Sequence, residues 1–460
     1  MKPSRLAAIA LIGLTLAGCS ILERRKKEPE DPYVNAEAVL EAENVLLADP
    51  ILAGQALTVP PAFNYTDWRQ VGGEPDHALH HVTLPTDLER MWRTRAVSKK
   101  AVDAPVTAPP IVDERYAYLI DAVGTASAFD LSSGEEVWST DLAPALSKPK
   151  KNRFVFWDRT ALSDLGFGGG ASVVERTLYV TSGFGFIAAL DADTGEVAWK
   201  TDAPGPVRNP PTVENGLVFA VTISNEVVAL DAASGEEVWS YQSFEESARV
   251  LASAAPAVAG DTVIVPFSSG EVIAFDTATG RVQWQAVISR TSRLDALSTL
   301  GDVSGSPVVD RGAVFAVSQS GQMAGIDFRT GTVAWEAPVG GFHTPWLAGE
   351  TLFSISNRGE LAAVNRIDGK IRWNKQLPTY RNEKKRKDRI NWAGPILAGG
   401  RLLVTSTDGR MLALSPQDGE ILDEIKLGSG TTLPPVVADD VLYVLNDKGQ
   451  LEAFGAAAGN

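Results

Sequence analysis

From about Asn64 onward the apolar residues fall in short β-branched runs punctuated by Gly and Pro, with no long stretch at helical period. One pattern recurs among them. "VIAFDTATGRVQW" (272–284) reads as an apolar run, a polar turn ending in Thr-Gly, and an alternating stretch that closes on Trp. Its relatives are "ASAFDLSSGEEVW" (126–138), "IAALDADTGEVAW" (187–199), "VVALDAASGEEVW" (227–239), "MAGIDFRTGTVAW" (323–335), "LAAVNRIDGKIRW" (361–373) and the degenerate "MLALSPQDGEILD" (411–423). In all seven a small residue stands ten positions before the last residue, and a Gly stands four before it. Such spacing describes a hairpin. The Asp carboxylate accepts bonds from amides ahead of it, the Gly takes a positive φ, and a strand lies on either side.

A lone hairpin is marginal in water, and two further strands precede each one. "PTVENGLVFAV", "PAVAGDTVIVP" and "PVVDRGAVFAV" show the plan of apolar strand, polar turn and second apolar strand, and "ASVVERTLYVT" (171–181) is a copy without the Pro. Each unit is then a four-stranded antiparallel sheet of about forty residues or more, the blade of a β-propeller. Eight first strands accompany only seven full hairpins, because the last copy stops at "QLEAFG" (450–455). In "LERMWRTR", near the other end, Trp92 holds the aromatic place of a lone outer strand. The prediction is an all-β fold: an eight-bladed β-propeller whose C-terminal blade is completed by residues 88–94, which also hides an open sheet edge. Trp92, Trp138, Trp199, Trp239, Trp284, Trp335 and Trp373 are read as core side chains that pack on the small residue and hold adjacent blades together.

Ahead of the blades the character changes. Lys2 and Arg5 precede "LAAIALIGLTLAG", a run too short and too rich in Gly and Ala to span a bilayer, and then comes Cys19, the single cysteine. "LAGC" reads as a lipobox, with an ordinary secretory leader as the alternative. Residues 1–18 are the expected lipoprotein signal peptide and Cys19 the lipidation site. Residues 19–62 are the expected flexible tether, and 63–460 the propeller. Ser20 after the cysteine favours passage to the outer membrane. One cysteine excludes a disulfide framework. A formal charge of −15 argues against a nucleic-acid binder and against a protein lying flat on anionic lipid.

The repeat also has an enzymatic counterpart. Small-x-Asp-x-x-Thr-Gly-x-x-x-Trp resembles the tryptophan-docking repeat of quinoprotein dehydrogenases, which implies pyrroloquinoline quinone and calcium. Those enzymes use an adjacent cysteine pair, which a chain with Cys19 alone lacks, and fold confers no function. "HALHH" (77–81) offers His77, His80 and His81 as metal ligands, or is a solvated loop. His343 stands alone, and "GFGGG" (166–170) neither follows a strand nor opens a helix, so it makes a poor phosphate cradle. With no nucleophile elbow, zinc spacing or acid–base pair, the expectation is a non-enzyme without cofactor or metal.

Four interblade connections are long: 139–170, 240–254, 285–305 and 374–393. Strand direction puts all four on one face, opposite the Asp-Thr-Gly turns, where a partner would bind. The first joins a basic run to Phe154, Phe156 and Trp157, and the third carries Arg290, Arg293, Asp295 and Asp302. The last gathers Lys375, Arg381, Lys384, Lys385, Arg386, Lys387 and Arg389, either a solvated tip or a meeting point for an acidic surface or lipid head groups.

"WQAVISRTSRLDALSTLGDVSGSPVVDRGAVFAV" and "LGFGGGASVVERTLYVTS", with the lipobox and the eight blades, resemble the BamB family of outer-membrane assembly lipoproteins. The resemblance implies a non-enzymatic scaffold of the β-barrel assembly machinery, lipid-anchored to the outer membrane and facing the periplasm. Its implied partners are a POTRA domain of BamA, other subunits of that complex, and unfolded outer-membrane protein clients. It also implies an apolar-plus-Arg contact in "SARVLAS", hence Arg249, Val250 and Leu251, and an acidic pair matched at Asp302, with Ser304 in the second place. A quinoprotein dehydrogenase and a generic periplasmic binding propeller are the alternatives.

Overall fold

The branched runs are too apolar to face water on either side. In the structure, a computed structural model that describes residues 46–99, 101, 107–144, 166–207, 209–244, 254–288 and 301–457, the first three strands of each repeat are almost wholly buried. The fourth alternates, as in Glu237–Gln242, because only one of its faces packs. Eight four-stranded antiparallel sheets follow in order: 111–141, 169–202, 212–242, 257–287, 308–337, 346–376, 392–426, and 436–456 completed by Leu88–Arg95. They are blades 1–8 of a β-propeller, and no helix occurs among the described residues.

The closing blade is built as the strand count required. Leu88–Arg95 pairs antiparallel with Gln450–Ala456, placing Trp92 across from Ala453 and Arg90 across from Phe454. Glu452, fully buried, is met there by Arg90 at 3.2 Å, the Gly428 amide at 2.8 Å and Asn446 Nδ2 at 2.9 Å. Within the regular hairpins the Asp turn works as a side-chain clamp. Asp276 accepts from the Thr279 hydroxyl at 2.7 Å and its amide at 3.0 Å, bonds that hold the carboxyl below the usual carboxylate range.

Each outer hairpin also carries a bulge. Ala274 pairs with Trp284, but Phe275 pairs with Val282, which leaves Gln283 out of register. The same shift occurs in all eight blades. An extra residue bends and twists its strand, and the indoles that follow reach the next blade. Nε1 of Trp92, Trp138, Trp199, Trp239, Trp284, Trp335 and Trp373 donates to the carbonyl of Leu131, Ala192, Ala232, Thr277, Phe328, Arg366 and Pro416 respectively, at 2.7–3.0 Å. Each ring lies on the glycine of that neighbouring turn. A Cβ added to Gly280, whose φ is +66°, would come within 2.5 Å of Trp239.

Asp423 occupies the aromatic place in blade 7. Blade 8 has no covalent outer turn to receive an indole, since two separate chain segments meet there. Arg401 bridges this interface instead, donating from Nη1 and Nη2 to the carbonyls of Thr86 and Pro85, each at 2.7 Å.

Candidate functional site

The innermost strands leave backbone groups unpaired around the axis, and buried amides and carbonyls need partners. One stretch of chain meets them in turn. The Tyr65 carbonyl accepts from Asp439 of blade 8, Trp68 exchanges both backbone bonds with Val112 of blade 1, and the Arg69 carbonyl accepts from Val173 of blade 2. The Gln70 amide brackets Val213 of blade 3, at 2.9 and 2.8 Å. Pro75 and Asp76 carbonyls accept from Val258 of blade 4 and Val309 of blade 5. His80 accepts from Trp346 and Gly349 of blade 6, and Val82 bonds Leu397 and Gly399 of blade 7. Residues 65–82 thus make one circuit of the ring, at the end of the channel where the Asp-Thr-Gly turns lie.

This circuit corrects the solvated-loop reading of "HALHH". The segment is not a solvated loop, and the imidazoles of His77 and His81 are engaged with backbone groups. His77 is 3% exposed, and its Nδ1 donates to the Pro307 carbonyl at 2.6 Å. His81 donates from Nδ1 to the Pro60 carbonyl at 2.7 Å and accepts at Nε2 from Gly400 at 2.9 Å. Among the described residues no group of three or more His, Cys, Asp or Glu is placed to hold a metal ion.

Burial pushes the His77 imidazole below its ordinary value, outweighing the opposing bond to Pro307. The folded chain therefore keeps His77 neutral, whereas the unfolded chain binds the proton near pH ~6.5. That contribution to stability is fully present above about pH 6.5 and is lost as the pH falls below it. The melting temperature is expected to drop between about pH 7.5 and 5.5, and to drop less in His77→Gln. Equal drops in both proteins would show that His77 is not the titrating group.

With the circuit across one end, the channel among the described residues holds a cup of about 300 Å³ on the side of the long connections. Trp68, Gly72 and His77 form its floor, and Phe167, Phe342 and Leu433 are among its walls. No Asp, Glu, Lys or Arg among the described residues lines it. A carboxylated quinone with calcium needs cations and acidic ligands around it, so this donor set does not fit that group.

Of the residues singled out for partner contact, Arg249, Val250 and Leu251 lie outside the described residues, as does Cys19. Next to that segment, Phe244 at the end of blade 3 is 75% exposed. Asp302 and Ser304 are buried at the entrance to blade 5. The Asp302 carbonyl accepts from the Gln319 amide at 2.9 Å and the Ser304 hydroxyl at 3.2 Å, and the Ser304 amide donates to Val317. Both lie beneath the rim. The basic run is outside the blade sheets, as a small hairpin over 380–389. The circuit was the element that sequence reasoning missed, and its one local signal was an apolar-and-His stretch of unusual density ahead of the blades.

The sequence model of the family described as outer membrane protein assembly factor BamB matches residues 122–375 and 382–460. The outer membrane protein assembly factor BamB of Moranella endobia is 24% identical over 345 residues, 75% of this chain and 84% of that protein. Among solved structures, BamB from Moraxella catarrhalis superposes with a TM-score of 0.62 at 21% identity, covering 81% of this chain and 99% of that one. The quinohemoprotein alcohol dehydrogenase of Comamonas testosteroni superposes at 0.65 with 14% identity, covering 86% and 82%. At such identities the structural likeness establishes the fold and not the chemistry. The family match, by contrast, is one of sequence and runs from blade 1 into blade 8 over well more than half of the length, so the chain belongs to the outer membrane protein assembly factor BamB family.

Proposed function

We propose that this protein is a non-enzymatic scaffold subunit of the β-barrel assembly machinery, docking by its open face onto a periplasmic POTRA domain of BamA and aiding the folding and insertion of outer-membrane proteins. The observation that carries this reading is one-sidedness. The circuit of residues 65–82 stops one end of the channel, and the long connections all leave from the other. A partner is thereby offered a single face of connecting segments on a ring of paired sheets. Cys19, acylated, is the anchor that keeps the propeller at the outer membrane, on the periplasmic side. Arg249, Val250 and Leu251 supply an apolar anchor beside a cation, while Asp302 and Ser304 shape the base of the neighbouring loop. Other subunits of the complex and unfolded clients are further partners, for which the outer strands offer edges for strand addition.

The test is co-purification with BamA in detergent. Arg249→Glu combined with Leu251→Glu is expected to reduce recovery by about tenfold or more, with circular dichroism and melting temperature unchanged. Undiminished recovery would remove this segment from the contact. Asp302 is left intact because a reversed charge at a buried position is a folding variant.

A further inference from the structure

The basic run of the last long connection is a built element. Tyr380–Asn382 and Lys387–Arg389 pair as a two-stranded antiparallel sheet of their own. The Lys385 amide bonds the Asn382 carbonyl at 3.2 Å across the turn, and Arg386 takes a φ of +47°. Glu383 pins the base by accepting from the amides of Thr379 and Tyr380, both at 3.0 Å, and Arg389 donates to the Asn357 carbonyl at 3.1 Å. Lys375 is engaged with Glu420 at 2.7 Å. Lys384, Lys385, Arg386 and Lys387 are exposed, and none of the four makes an ion pair among the described residues. Four adjacent like charges repel one another, and among the described residues no carboxylate is paired with them.

Beneath the hairpin lies a second cavity, of about 390 Å³, between blades 6 and 7. Ile355, Pro378, Ile390 and Trp392 line it together with the polar Asn357, Thr379 and Asn391, Arg358 and Arg389 belong to its wall, and it shares Phe342, His343 and Thr432 with the central cup. Phe342, 40% exposed, marks the junction of the two. The groove is therefore mixed in lining, with Phe342 at its end toward the cup and the guanidinium side chains of Arg358 and Arg389 as its cations.

We infer that the hairpin and the groove beneath it form a docking site for an acidic segment of a partner polypeptide, with an aromatic side chain seated against Phe342 and carboxylates against Lys384, Lys385, Arg386 and Lys387. Charge complementarity selects an acidic occupant, and the half-exposed Phe342 ring in the groove selects one with an aromatic side chain to bury against it. A lipid surface would use the cations and leave the groove unused. The site also lies on the face opposite the start of the described chain, where Asp49 bonds Ile371 and Leu57 bonds Gln417 on the turns of blades 6 and 7. It rests on the reading that the long-loop face docks a partner, yet it stands between blades 6 and 7, three blades round from the junction of blades 3 and 4.

The experiment uses the full chain and two labelled probes: a short Asp/Glu peptide with a central Phe, and the same peptide with Gly in its place. The Phe peptide is expected to bind about tenfold more tightly than the Gly peptide, with both affinities falling as salt rises. The variant carrying Lys384→Glu, Lys385→Glu, Arg386→Glu and Lys387→Glu should lose both peptides, and Phe342→Ala should lose only the preference, with the fold intact by circular dichroism. Equal affinity for the two peptides, or unchanged binding by the charge-reversed variant, overturns the site. Hairpin-dependent binding to phosphatidylglycerol vesicles without a peptide preference also overturns it, in favour of a membrane. Because the peptide assay contains no BamA, its failure is separate from any failure of the scaffold reading.

Discussion

Removing the residues up to Arg95 is expected to leave a chain that does not fold. The deletion takes the outer strand of blade 8, exposing the edge of Gln450–Ala456, together with the circuit that bonds each of the eight blades near its innermost strand. It also removes Trp68, Leu79, Val82 and Leu84, each less than a tenth exposed, from the largest core cluster, which they share with Val112, Phe353, Leu397 and Tyr443. Full burial of such side chains is worth about 1.5–3 kcal/mol each. The four together approach the whole net stability of an ordinary domain, about 5–15 kcal/mol. Backbone groups orphaned around the axis add to the loss. Solubility on expression and far-ultraviolet circular dichroism read the result, and a soluble truncated chain with a cooperative thermal transition would refute the assignment.

Trp284→Ala is expected to cost about 3–5 kcal/mol, seen as a lower urea midpoint. Trp284 is 6% exposed, donates to the Phe328 carbonyl at 2.7 Å and lies on Gly331 of the next blade. The alanine leaves a cavity at the boundary between blades 4 and 5, and flanking sheets already paired to their own strands cannot collapse into it. Trp284→Phe retains most of the volume but strands the carbonyl, a loss of about 1–3 kcal/mol. An unchanged midpoint for the alanine variant would show that the indole does not hold the blades together.

The two variants separate two kinds of cohesion. The indoles act in series, each between one pair of neighbours, so losing one loosens one boundary. Residues 65–82 act in parallel on all the blades, which makes the N-terminal segment the part of the chain that the fold can least spare.

What the sequence determined by itself was the blade, the blade count and the closure. A hairpin's geometry depends on residues within about a dozen positions, so a small residue, an Asp turn, a Gly and a Trp at constant spacing carry their own instructions. Counting strands then assigned Leu88–Arg95 to the last sheet, since one outer strand lacked a partner. Only the tertiary structure decided the path of residues 65–82, the bulge beside each aromatic position, and the burial of Asp302 and Ser304. His81 and Gly400 bond across 319 positions of sequence. A stretch without periodicity of its own takes its conformation from the unpaired backbone groups that a completed ring presents to it. Those groups exist as a set only once eight sheets stand around one axis.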